Sequence, residues 1–130
     1  MKDFRGLSVW QRAHFITLSV YRFTRMFPHE ERYGISSQMR RCSASVAANI
    51  AEGCGRRGNP EFSRFLGIAM GSASELEYFL LLARDLNYLP SESYDLIAKD
   101  LCDSRRMLNC LMSKVQSECT KTSKRSSANC

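Results

Sequence analysis

Between Asn59 and Asn87 the sequence reads as one uninterrupted helix that is apolar on more than one side. Asn59-Pro60-Glu61 supplies a cap residue, a proline at the first helical position and an acid in the first turn. Phe62, Phe65, Leu66, Ala69, Ala73, Leu76, Leu80 and Ala83 then recur every three or four positions. The pattern runs to about Leu86, where Asn87 can take a left-handed closing conformation. Such a rod is about 40 Å long. A second stripe, Ile68, Phe79, Leu82 and Leu86, lies on a rotated face, and Tyr78 to Leu82 is apolar all round. A helix of this kind is normally enclosed on every side. The expectation is therefore that other helices, or other copies of the chain, surround it, with Ile68, Phe79, Leu82 and Leu86 as the oligomer contact.

Three further helices supply the enclosure. Val9, Ala13, Ile16, Val20, Phe23 and Phe27 form one helical face, capped by Ser8 and stopped at Pro28. Met39, Cys42, Val46, Ile50 and Gly53 form another after Gly34, with Ser36 or Ser37 as cap. The run from Cys42 to Ala51 is almost entirely small, which lets a neighbouring backbone come close. A fourth helix follows Pro90-Ser91-Glu92, with Tyr94, Ile97, Leu101, Leu108, Leu111 and Val115 on one side. No stretch alternates as a strand would. The links, about 28–37, 54–59 and 87–91, are short, which favours antiparallel neighbours. The predicted fold is all-α, an antiparallel up-down-up-down four-helix bundle over residues 1–116, with 117–130 as a disordered basic tail.

Composition narrows the class. With 130 residues, 44% hydrophobic and 25% charged, the chain suits one soluble globular domain. No unbroken apolar run reaches the ~18 to 20 residues of a membrane span, and no signal segment opens the sequence, so the cytoplasm and no membrane partner are expected. Net charge is +6, with a pI near 9.2, which favours anionic partners. Residues 117–130 contribute Lys121, Lys124 and Arg125 against Glu118. Cysteines 42, 54, 102, 110, 119 and 130 lack CxxC spacing and read as reduced, small apolar residues; Cys119 or Cys130 could pair in an oxidising buffer. His14 and His29 have no close cysteine partner, so no metal and no cofactor are expected.

Four groups of polar residues stand out. Gly53-Cys54-Gly55-Arg56-Arg57-Gly58 spells G-x-G-x-x-G, but a dinucleotide loop must follow a strand, and this one follows a helix. Arg56 and Arg57 nevertheless sit just before a helix amino end, where a phosphate could bind; the alternative is a solvated loop. Arg40 and Arg41 lie in the first turn of a helix whose dipole disfavours cations, so they need either a carboxylate such as Glu52, Glu75 or Glu77, or an external phosphate. Gln38, Arg41, Ser45, Asn49 and Glu52 form a polar stripe that reads first as an interhelical seam with Ser72 and Glu75, and second as a partner site. Trp10 and His14 read as a core tryptophan beside a half-buried histidine. Nothing supplies the nucleophile, base and orienting group of a hydrolase.

Trp10-Gln11-Arg12-Ala13, Phe27-Pro28 with Glu31, Tyr33-Gly34-Ile35-Ser36-Ser37-Gln38-Met39-Arg40-Arg41, Ser45, Asn49-Ile50-Ala51-Glu52-Gly53, Phe62, Phe65-Leu66, Ala69 and Gly71-Ser72 with Glu75 occur in an order that resembles the bacterial proteins encoded in 23S ribosomal RNA intervening sequences. The resemblance spans roughly residues 4 to 115. It implies a four-helix bundle assembling as a ring-shaped homo-oligomer, a pentamer, similar to the accessory protein of diversity-generating retroelements. It further implies a non-enzymatic role in binding RNA or DNA, or in docking a reverse transcriptase. Cys42 and Ala47 depart from the family pattern, where alanine and proline are usual. Arg40, Arg41, Arg56, Arg57 and Arg64 are the expected nucleic-acid contacts. The other expectation is an oligomeric scaffold that docks a nucleic-acid enzyme.

Overall fold

The computed structural model describes the backbone of residues 3–128 and the side chains of residues 3–118. Four α-helices, α1 (Ser8–Thr24), α2 (Ile35–Gly55), α3 (Asn59–Asp85) and α4 (Ser91–Ala128), follow one another, with short 3-10 turns at Phe4–Gly6 and His29–Glu31. No strand occurs among the described residues. Each helix packs on its neighbour in sequence and α1 closes against α4, the cyclic order of an up-down-up-down bundle. The α2–α3 pair is the most extensive.

The core is the set of stripes legible in the sequence. Val9, Ala13, Ile16 and Val20 of α1 meet Met39, Val46 and Ile50 of α2, with Leu66, Leu76 and Leu80 of α3 between them and Ile97, Leu101, Leu108 and Val115 of α4. Ser104 bridges the gap in the last stripe; it is buried, and its hydroxyl donates to the Asp100 carbonyl at 3.0 Å. By length and composition α3 could cross a bilayer, because its apolar residues outweigh the interspersed glycines and serines that break an unbroken run. Its main stripe is instead buried against α2 and α4.

Helix ends depart from expectation where a tertiary contact decides them. α1 stops at Thr24, short of Phe27, and Phe27 is buried from the turn that follows. α2 takes its cap from neither Ser36 nor Ser37: the Glu31 carboxylate, presented by the preceding 3-10 turn, accepts from the Ile35 amide at 3.3 Å. α3 begins one residue early, behind Gly58 at φ 81°. Its end is as expected, with Asn87 at φ 63° and the Tyr88 amide reaching back to the Ala83 carbonyl at 2.9 Å. α4 continues to Ala128, past residue 116 where composition placed the end of the folded domain; no glycine or proline follows Pro90 to break it. The side chains of Cys119, Lys121, Lys124, Arg125 and Cys130 lie outside the described residues.

α2 and α3 approach closely at Gly53. A Cβ there would stand 2.9 Å from Phe62 Cδ1 and 3.1 Å from Phe65 Cβ, the latter close to backbone that cannot swing aside. Gly53→Val should therefore lower stability by about 1–3 kcal/mol, the usual cost of overpacking, read from the urea midpoint. An unchanged midpoint would show that the two helices can separate freely.

Candidate nucleic-acid interface

The five arginines expected to contact nucleic acid fall into two groups near opposite ends of α2. Arg40 and Arg56 are about 24 Å apart at 1.5 Å per residue.

At one end, the Phe65 ring carries two guanidiniums. Arg56 stands 5.1 Å from its centroid and Arg64 4.6 Å. Each is also tethered to a carboxylate one helical turn away: Arg56 to Glu52 at 2.6 Å, Arg64 to Glu61 at 3.3 Å. These pairs are solvent-exposed, so they orient the side chains more than they stabilise the fold. Arg57 lies beside them, exposed and without a hydrogen-bond or ion-pair partner among the described residues. Directly after it, Gly58 turns the chain into the amino end of α3.

At the other end, Arg40 and Arg41 behave differently. Arg40 finds none of the carboxylates considered from sequence. Its Nε donates to Thr24 Oγ1 at 2.8 Å and its Nη2 to the Tyr21 carbonyl at 3.3 Å, while its plane covers the Tyr21 ring at 4.8 Å. It is a strut between α1 and α2. Arg41 is exposed, with no such partner among the described residues. Close to Arg40 the structure adds Arg25, His29 and Arg32, which the sequence reading passed over. Their signal was the density of cations between residues 22 and 32.

Three of the residues expected in the polar seam, Ser45, Asn49 and Ser72, converge. Ser45 and Ser72 share a 2.8 Å hydrogen bond across α2 and α3, and Asn49 Nδ2 donates to the Ser45 carbonyl at 2.8 Å and to its hydroxyl at 2.9 Å. Gln38 and Glu75 are exposed outside this network, and Glu52 turns to Arg56. On α3 the second apolar stripe is left open: Ile68 is 41% and Leu86 45% exposed, with Phe79 and Leu82 half-buried against the core. Tyr78 and Leu81 are exposed as well, so the surrounding helices do not enclose the segment that is apolar all round.

The remaining candidates are structural. Trp10 and His14 stack with ring centroids 5.0 Å apart and planes 8° from parallel, but His14 is exposed rather than half-buried. Among the described residues no three His, Cys, Asp or Glu side chains converge as metal ligands would. Cys42, Cys54, Cys102 and Cys110 are free thiols, the first two buried and the last two exposed.

With this geometry established, the comparison with known proteins is direct. The sequence matches the 23S rRNA-intervening sequence protein family over residues 5–110. The chain belongs to that family. A crystal structure of a protein of unknown function from the S23 ribosomal protein family of Bacteroides thetaiotaomicron superposes on it with a TM-score of 0.75. That protein is 24% identical, and the superposition covers 81% of this chain and 95% of the other, a likeness of fold. No curated protein matches the chain.

Burial, and secondarily the nearby Glu75 carboxylate, pushes the Cys42 thiol up from 9.0 to about 12. Because the folded value is the higher one, the stability it supplies is complete below pH 9.0 and is lost as pH rises toward about 12. A thiolate-selective reagent at neutral pH should modify Cys102 and Cys110 in the native protein and leave Cys42 intact, as peptide mapping would show. Modification of Cys42 at the same rate would contradict its burial.

Proposed function

We propose that this intervening-sequence family member is a non-enzymatic nucleic-acid-binding protein that acts as a ring-shaped homo-oligomer. The observation that carries the reading is the arginine group at the α2–α3 turn. Arg56 and Arg64 are held over Phe65 and tethered to Glu52 and Glu61, so less side-chain entropy remains to be lost on contact, and Arg57 is exposed beside them. Guanidiniums arranged this way suit phosphate oxygens, which position a strand without reading its bases. Arg41 supplies a further contact at the other end of α2. The +6 charge supports the same partner class, and five copies would carry about +30, a field able to steer polyanions.

The open flank of α3 supports assembly. Ile68 and Leu86 are apolar, exposed and on the same side as half-buried Phe79 and Leu82, and a second copy would cover them. Light scattering should give a multiple of 14.8 kDa. Ile68→Glu and Leu86→Glu should lower that mass while helicity by circular dichroism persists. Unchanged mass would count against this interface.

Binding itself is tested by fluorescence anisotropy with labelled RNA and DNA over a salt series. The logarithm of affinity should fall linearly with the logarithm of salt concentration, and Arg57→Ala should shallow the slope by about 1. Undetectable binding at low salt, or affinity flat against salt, would refute the reading. Capture of a protein that survives nuclease treatment, without direct nucleic-acid binding, would favour the scaffold role instead.

A further inference from the structure

The elbow joining α1 to α2 encloses a cavity of about 140 Å³ that no residue of the expected interface, other than Arg40, had signalled. Arg25, Arg32 and Arg40 line it together with His29, Ser36 and Thr24, and no carboxylate does. Three arginines lining one small space bring like charges together, and their repulsion is largest when no anion is present. Of the neighbouring acids, Glu31 holds the Ile35 amide and Glu30 is exposed, and neither lines the cavity.

Two donors are prepared for an oxyanion. Arg40 is fixed by its bonds to Thr24 and Tyr21 through Nε and Nη2, which leaves Nη1 available in a set orientation. Ser36 is only 7% exposed, faces the cavity, and its hydroxyl has no hydrogen-bond partner. The hydroxyl is not sealed off from solvent but opens to the pocket, so a ligand or water can complete it there. Ser36 also lies in the first turn of α2, where main-chain amides lack partners within the helix and favour anions.

Aromatic surface adjoins the cavity. Tyr33 is 86% exposed, and Arg32, a cavity residue, stands 5.5 Å from its ring centroid. An exposed aromatic next to a phosphate-sized basic pocket is the pairing that single-stranded nucleic acid uses, with the backbone held by charge and a base laid on the ring. A duplex keeps its bases stacked and cannot offer one to Tyr33.

We propose that the α1–α2 elbow is a binding site for a phosphate group of single-stranded nucleic acid, held by Arg25, Arg32, Arg40 and Ser36, with the adjoining base stacked on Tyr33. This rests on the nucleic-acid reading but assigns it a site and a strand preference. Two measurements on the full chain test it. In thermal melting, inorganic phosphate should raise the Tm of the wild type above a chloride control of equal ionic strength. Ser36→Ala should fold at least as stably without phosphate, since it removes an unpartnered hydroxyl, yet lose that protection, as should Arg32→Ala. In anisotropy, Tyr33→Ala should weaken a short single-stranded RNA roughly tenfold, within the range for one stacked base, and leave duplex affinity unchanged.

No phosphate protection in the wild type, or protection that survives both Ser36→Ala and Arg32→Ala, overturns the site. Phosphate protection with single-strand affinity indifferent to Tyr33→Ala overturns the strand assignment and makes free phosphate the ligand. RNA binding that depends on Arg57 but not on Arg25 or Arg32 overturns the elbow while the nucleic-acid reading stands. Phosphate protection in a wild type that binds no RNA does the reverse.

Discussion

The close approach of α2 and α3 is the constraint on which the rest of the molecule depends. Gly53 has no room for a Cβ, Ala69 and Ala73 are buried on the facing helix, and Ser45 meets Ser72 hydroxyl to hydroxyl. Small side chains bring the two backbones together, and the shared polar contact favours one register, since a shift of one residue would separate the two hydroxyls. A pair held in this way is stiff. Its ends present Arg40, Arg41 and Arg64 on the helices themselves and Arg56 and Arg57 in the short turn that joins them, and its outer flank leaves apolar residues of α3 exposed.

Arginine serves two different purposes in this bundle. Some guanidiniums are structural: Arg12 reaches Asp100 and Asp103 across α1 and α4, Arg105 pairs with Glu77 across α3 and α4, and Arg40 braces α1 against α2. Others are oriented but not consumed. Arg56 and Arg64 share the face of Phe65, and Arg41 and Arg57 have no partner among the described residues. A polyanion does not have to break these interhelical pairs in order to engage the second set. Net positive charge alone would not separate the two kinds; whether the partner lies on another helix or within one turn of the same chain does.

The helices were legible in the sequence because burial and period coincide. The α1 face from Val9 to Val20, the proline-opened start of α3 and the left-handed Asn87 all follow from local rules, and the family resemblance agrees with the match over residues 5–110. What the sequence concealed depends on contacts between distant positions. Glu31 outcompetes the two serines as the α2 cap because a 3-10 turn carries its carboxylate to the Ile35 amide. Cys102 and Cys110 fall on the outer side of α4, and only their companions on that helix decide this. The arginines were chosen as neighbours in sequence, so Arg40 and Arg41 were grouped although one braces the core and the other faces solvent. Arg25, His29 and Arg32 join Arg40 only when the elbow folds.

The central claim is that a rigid α2–α3 pair offers polyanions two cationic ends of the molecule and not its other surfaces. Hydrogen–deuterium exchange, compared with and without a saturating single-stranded RNA, addresses this directly. The account predicts slowed exchange confined to residues 25–41 and 54–64, with the exposed face of α4 unchanged. Slowing concentrated on α4, or none at either end while RNA is bound, would contradict it.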